Sequence, residues 1–314
     1  MKADFKTGAV WLVIGAALVW IARPGDWVRP VTAQTGTPAV VVEWEYNSQS
    51  VEAASIQTKL TELGTAGWDV FSVTSTDAVV DDTTAIVSAC HGYYENGCTQ
   101  DLSAIAAKAH AEGALVYVDA YQTLGTTPVN VKASGVDFLA SGCLKFLMGI
   151  PGIAFLYVRK ELIKTLRPTV TGWFGRANPF GFDVKKLDWA RTASRFDSGT
   201  PPVLNAYVAR AGIEIVTGLG VGKIRAWHEV LAQRLIDGGR ERGLMLHGPA
   251  DVSRKTATTG FVVPDAHGVE ACMRVQGVIA SARGPVIRLS PHFYNTIEDV
   301  DRALDVLAVV AIPA

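Results

Sequence analysis

Residues 114–122 read ALVYVDAYQ, and residues 135–145 read GVDFLASGCLK. Each is an apolar run of strand length that ends on polar residues: Asp119 closes the first, and Lys145 follows the second. Apolar runs without alternation suit strands covered on both faces, as in a parallel sheet. Ligands of such sheets sit just beyond the carboxyl ends of the strands, which makes Asp119 and Lys145 candidate functional residues. Working outward, residues 85–89 and 153–158 read as further buried strands of the same sheet. Residues 101–112 (DLSAIAAKAHAE) read as a helix capped by Asp101 and stopped at Gly113. Strand and helix signals joined by short Gly-rich links give an α/β fold with a mostly parallel sheet.

The composition narrows the function. The chain has 314 residues, 29 Lys+Arg against 30 Asp+Glu and a net charge of −1, so no basic surface collects phosphates and nucleic-acid binding is not expected. The four cysteines, Cys90, Cys98, Cys143 and Cys272, form no C-x-x-C pair, and His228, His247 and His267 share no ligand spacing, so no metal site is expected. Residues 218–223 (GLGVGK) lack the spacing of a phosphate loop, have Ile224 where Ser or Thr is required, and lie between helical runs. Helical periodicity over 203–216, 223–242 and 297–309, with a strand at 286–290, predicts a C-terminal α+β domain.

An acidic group and a lysine beside one crevice have two readings. One is a salt bridge. The other is a pyridoxal phosphate site, in which the lysine forms a Schiff base and the carboxylate pairs with the pyridinium nitrogen. The motifs 118–122 (VDAYQ), 142–145 (GCLK), 149–158 (GIPGIAFLYV), 195–201 (RFDSGTP) and 288–296 (RLSPHFYNT) together resemble the class V aminotransferase family of fold-type I pyridoxal phosphate enzymes. The likeness runs from about residue 78 to the C-terminus. It implies that Lys145 is the Schiff-base lysine and moves the α-proton, that Asp119 pairs with the pyridine nitrogen, and that Gln122 hydrogen-bonds the phenolic oxygen. Gly199 and Thr200 resemble a turn that reaches a phosphate across a dimer interface, so a homodimer is implied. Arg288 matches the arginine that grips the substrate α-carboxylate, a task suited to a planar fork.

The chain departs from that pattern in three places. A histidine precedes the lysine in many relatives and a hydroxyl residue lies three before it; here those positions hold Leu144 and Gly142. Phe293 stands where cysteine desulfurases carry their sulfur-accepting cysteine, which points toward kynureninase-like or epimerase-like relatives. The third departure is at the N-terminus, where family members build the first part of the large domain. Here residues 39–46 (AVVVEWEY), 48–63 and 68–73 read as strand, helix and strand of a small βαβ unit. That unit resembles a small bacterial family of unknown function. A sheet lacking its first strands is expected to expose an apolar edge.

Residues 8–22 (GAVWLVIGAALVWIA) carry no charge. About 15 residues at ~1.5 Å each reach roughly 22 Å, short of a ~30 Å hydrocarbon core. A short tilted anchor, a secretory segment and a buried helix all remain open, and Trp11, Trp20 and Trp27 favour the anchor. Lys2 and Lys6 balance Arg23 and Arg29, so the side of the membrane is unassigned.

The expected organisation is therefore a hydrophobic segment and linker over 1–35, the βαβ unit over 36–77, a truncated large domain over 78–220 and an α+β domain over 221–314. The expected activity is that of a pyridoxal phosphate enzyme acting on an amino-acid substrate through an external aldimine, with the membrane reached through residues 8–22. The alternative is a non-catalytic accessory subunit of a membrane complex, with another chain covering the sheet edge. An exported binding protein built on the βαβ unit is a third class.

Overall fold

The computed structural model describes residues 84–168, 170–183 and 185–311, together with the backbone of five short strands between 21 and 73. These are β1 (Ile21–Ala22), β2 (Arg29–Thr32), β3 (Pro38–Val41), β4 (Asp69–Val70) and β5 (Ser72–Val73). The helix expected over 48–63 lies outside the described residues, as does the apolar run 8–22 apart from β1. Among the described residues no helix is long and apolar enough to cross a membrane. The strand expected over 39–46 is present in part as β3, which pairs antiparallel with β2, whereas β5 runs parallel to the next strand, β6 (Ile86–Cys90).

Residues that alternate between buried and half-buried form β6 and, after helix α1 (Leu102–Ala111), strand β7 (Leu115–Asp119). Asp101 caps α1 by accepting the Ser103 amide at 2.9 Å. The Leu115 amide bonds the Ala85 carbonyl at one end of the pair and the His91 amide bonds the Asp119 carbonyl at the other, so β6 and β7 run the same way. A short helix α2 (Val131–Ser134), capped by Asn130, leads to β8 (Phe138–Gly142). Strand β9 (Ala154–Val158) completes a sheet ordered β5-β6-β7-β8-β9.

The expectation that β9 joins a parallel set is corrected: it pairs antiparallel to β8, Gly142 opposite Ala154 and Phe138 opposite Val158. The join between them, residues 143–153, carries no helix, whereas the crossover that a parallel pair requires usually does. As an edge strand β9 leaves Phe155 47% and Leu156 44% exposed. Helix α3 (Lys160–Thr165) follows, and then α4 (Val203–Leu219), α5 (Val221–Glu241), β10 (Met245–His247), β11 (Thr259–Val262), α6 (Ala266–Val275), β12 (Ser281–Arg283), β13 (Val286–Leu289) and α7 (Ile297–Ala311).

Contacts divide the chain into two compact units. One comprises Met1–Ala89, Ala104–Tyr117 and Arg159–Gly199; the other comprises Cys90–Ser103, Val118–Val158 and Thr200–Ala314. The second contains the antiparallel sheet β10-β11-β13-β12, and helices α5, α6 and α7 bury Leu231, Leu235, Met273, Leu304 and Leu307 against its Phe261 and Ile287. Gly239 on α5 permits this approach, because a Cβ there would stand 2.4 Å from the Phe261 ring. The join between α4 and α5 is Gly220 alone, which agrees with the helical context that argued against a phosphate loop.

Lys255 is the costly residue of this unit. It is 1% exposed, and its Nζ donates to Thr259 Oγ1 at 2.5 Å, beside the Arg225 guanidinium that bonds its carbonyl. Burial first, and Arg225 second, pull its amine down to about 7. Between pH 7 and about 10.5 the unfolded chain therefore holds a proton that the folded chain lacks. Stability rises with pH through that window, and the penalty is complete below it. Lys255→Met should stabilise the protein at pH 7 by about 2–4 kcal/mol and flatten the dependence between pH 7 and 10. Thermal melts at several pH values check this, and equal melting temperatures and equal slopes would refute it.

Candidate active site

The carboxyl ends of β6 and β7, and the loop after β8, converge within the second unit. Asp119 ends β7, and its Oδ1 accepts the Tyr121 amide at 2.8 Å while its other oxygen has no partner among the described residues. Lys145 stands in the loop after β8, its Nζ 5.2 Å from the centroid of the Tyr121 ring. Asp119 and Lys145 make no ion pair within 4.0 Å. They nevertheless feel each other. Burial pushes the Asp119 carboxyl up, opposed by the Tyr121 amide and by Lys145; burial pushes the Lys145 ammonium down, opposed by Asp119. The salt-bridge reading fails on this geometry.

Arg288 comes from β13, where it lies opposite Gly260 and Ser281. Its Nη1 donates to the Tyr94 carbonyl at 2.6 Å, and its Nε is buried with no acceptor. Burial, then Arg283, pull its pKa down, and Arg288 in turn depresses that of Lys145, so both cations act on one locality. Gln122 is buried one turn beyond Asp119. Gly199 and Thr200 are exposed ahead of α4, and neither hydrogen-bonds a described residue. Asp119 and Arg288 thus both act on the charge of Lys145, whereas Gly199 and Thr200 have no hydrogen-bond partner among the described residues.

Several neighbours escaped the reading of the sequence. Cys90 and His91 close β6 by the same rule that singled out Asp119. The Cys90 thiol is pushed up to about 12, by burial and then by Asp119, so it is a neutral thiol. His91 Nδ1 meets Thr123 Oγ1 at 2.8 Å, and burial draws its pKa down to about 4. Tyr121 sits beside Gln122 in the quoted motif, yet nothing in the text marks its ring. Behind the lysine loop, His292 Nε2 lies 3.2 Å from the Phe146 carbonyl and its Nδ1 lies 3.3 Å from His228 Nε2. That arrangement assigns both rings as neutral Nε2–H tautomers, His228 donating to His292 and His292 to the carbonyl.

Comparison with known proteins gives this site a context. The family model described as Aminotransferase class-V matches residues 24–303. Among curated proteins, the chain is 38% identical over 233 residues to an uncharacterized aminotransferase, YcbU, of Bacillus subtilis, covering 74% of this chain and 61% of that protein. It is 26% identical over 238 residues to a kynureninase of Pseudomonas fluorescens, covering 74% of this chain and 57% of that protein. The chain therefore spans about three-fifths of the length of these relatives. In fold it is similar to the apo cysteine desulfurase of Thermococcus onnurineus NA1, with a TM-score of 0.68 at 24% identity, covering 82% of this chain and 69% of that one.

The buried histidines make stability acid-sensitive. Burial, then His292, draw His228 down to about 3, and burial draws His292 down as well. The unfolded chain takes up protons below about pH 6.5 that these rings refuse, so their contribution is present above that value and lost as pH falls toward 3. His228, held that low, costs about 2 kcal/mol at pH 5 relative to pH 7. His228→Gln should remove about one group's share of that slope while keeping a donor toward His292. Urea melts at pH 7 and pH 5 measure it, and an unchanged slope would contradict the assignment.

Proposed function

This chain belongs to the class-V aminotransferase family, and from that premise we propose that it holds pyridoxal phosphate on Lys145 and acts at the Cα of an amino acid. The observation that carries the proposal is that Lys145 and Asp119, both half-buried, act on each other's charge without pairing. Two opposite charges left unpaired in a poorly solvated place are costly unless a ligand satisfies them. The residues fit the cofactor: Asp119 has a free oxygen for a protonated ring nitrogen, and Arg288 has a buried Nε with no acceptor.

Bound pyridoxal phosphate supplies an electron sink for bonds broken at Cα. The chain supplies the rest. The Lys145 amine attaches the cofactor, and burial lowers its pKa so that Nζ takes and returns a proton more readily. Asp119 would accept the ring N–H and favour the charged ring. The buried Gln122 amide would donate to the phenolic oxygen. Arg288 would offer its fork to the substrate carboxylate. Phe293 offers no thiol, so the reading favours kynureninase-like or epimerase-like chemistry over sulfur acceptance.

A homodimer belongs to the same proposal. Helix α4 leaves Leu204 79%, Tyr207 69% and Ile215 47% exposed, and the β9 edge adds Phe155 and Leu156. Apolar area of this kind on a helix and an edge strand suits burial by a second copy. Gly199 and Thr200, without a hydrogen-bond partner among the described residues, are then available to the phosphate of the other subunit's site.

The purified chain mixed with pyridoxal phosphate should show a visible absorption band, and borohydride should leave a pyridoxyl adduct on Lys145 that is absent from Lys145→Ala. Arg288→Lys should retain the band while weakening amino-acid binding about 10-fold or more, the loss of one charge-assisted hydrogen bond. No band and no adduct would refute the cofactor reading. Leu204→Glu combined with Tyr207→Glu should convert a dimer to a monomer in sedimentation, and a wild-type chain that sediments as a monomer would refute the dimer.

A further inference from the structure

Tyr121 occupies an unusual seat. The Tyr121 amide is tied to Asp119 Oδ1 at 2.8 Å, and its ring reaches the last residue of β8, Gly142. A Cβ on Gly142 would stand 2.3 Å from Tyr121 Oη and 2.4 Å from its Cε1. Gly142 has no positive φ, so glycine is required there for space and not for backbone freedom. Any larger residue would push the ring away. Over that ring lies the Lys145 ammonium, 5.2 Å from the centroid and inside the ~6 Å range in which an aromatic face attracts a cation. Among the described residues the Lys145 ammonium has no hydrogen-bond acceptor and no carboxylate within 4.0 Å, which leaves the ring as the group that receives it.

We propose that Tyr121 is a positioning residue for Lys145, its ring seated on the bare backbone of Gly142 and its face holding the ammonium at the mouth of the site. This rests on Lys145 being the cofactor's attachment point. The ring favours the charged lysine, opposing the burial that disfavours it, and it restricts the long side chain to the direction in which attachment occurs. Asp119 serves both ends of the arrangement: one oxygen fixes the Tyr121 backbone, and the other stays free.

The test reads the lysine itself, with no cofactor present. In the full chain stripped of any bound pyridoxal phosphate, the pH dependence of Lys145 acetylation by acetic anhydride, followed by peptide mass mapping, gives the midpoint of the amine. Tyr121→Phe should leave that midpoint unchanged. Tyr121→Leu should lower it by about one pH unit, the size expected for a partly desolvated cation and ring. Gly142→Ala should lower it similarly by displacing the ring, and the Tyr121→Leu/Gly142→Ala pair should fall no further than either alone. Placing 3,4,5-trifluorophenylalanine at position 121 keeps the shape and drains the ring of electron density, so its midpoint should fall below that of Tyr121→Phe. This form decides the matter if Tyr121→Leu does not fold. A midpoint indifferent to fluorination overturns the proposal. Absence of a pyridoxyl adduct would strike the cofactor reading alone, because the labelling is measured without cofactor.

Discussion

A carboxylate and an ammonium that are half-buried and within each other's field, yet out of contact, set the terms for everything around them. Removing two charges from water is expensive, and a direct ion pair would be the cheap remedy. The chain withholds it. Asp119 is fixed by its own strand and by the Tyr121 amide, while Lys145 leaves β8 in a different direction and lies over an aromatic face. Arg288 and Arg283 add positive charge to the same locality, and Cys90 contributes a neutral thiol. The balance is an excess of cations over one carboxylate. Such an excess of positive charge favours anionic groups.

Holding that arrangement requires a rigid lysine loop. The Gly149 amide closes the loop onto the Cys143 carbonyl at 2.7 Å, and Cys143 and Leu147 pack with Ala209 of α4. His292 bonds the Phe146 carbonyl from the other side and is itself held by His228 on α5. Arg288 and His292 belong to one short stretch that begins on β13. The same piece of backbone therefore supplies the Arg288 cation and steadies the loop that carries the lysine.

Much of this was legible in the sequence, and the parts that were not share a cause. Apolar runs ending on Asp119 and preceding Lys145 gave the central strands, because burial on both faces leaves a strong local signal. The periodicity over 223–242 marked α5 within a residue or two of its observed bounds, Val221–Glu241. Strand β9 was recognised as a strand but not as an antiparallel one, since direction is decided by the path of the connection and not by the strand's own residues. Strands β10 and β12, of three residues each, carry too few side chains for alternation to register. The His228 and His292 rings are 64 positions apart, and no spacing rule joins them.

Gly142 shows how far a local reading carries. In the sequence it registers only as the loss of a hydroxyl residue three positions before the lysine. In the fold the space is filled, because the ring of Tyr121 occupies the volume that a side chain on Gly142 would need and brings a phenolic hydroxyl within 2.3 Å of where that Cβ would stand. Two features that look unrelated in one dimension, the ring of Tyr121 and the missing side chain of Gly142, fit together in three. The fit also supplies a surface on which a cation rests. A departure from a family pattern is therefore weak evidence for lost chemistry until the neighbours across the strand ends have been examined for what took its place.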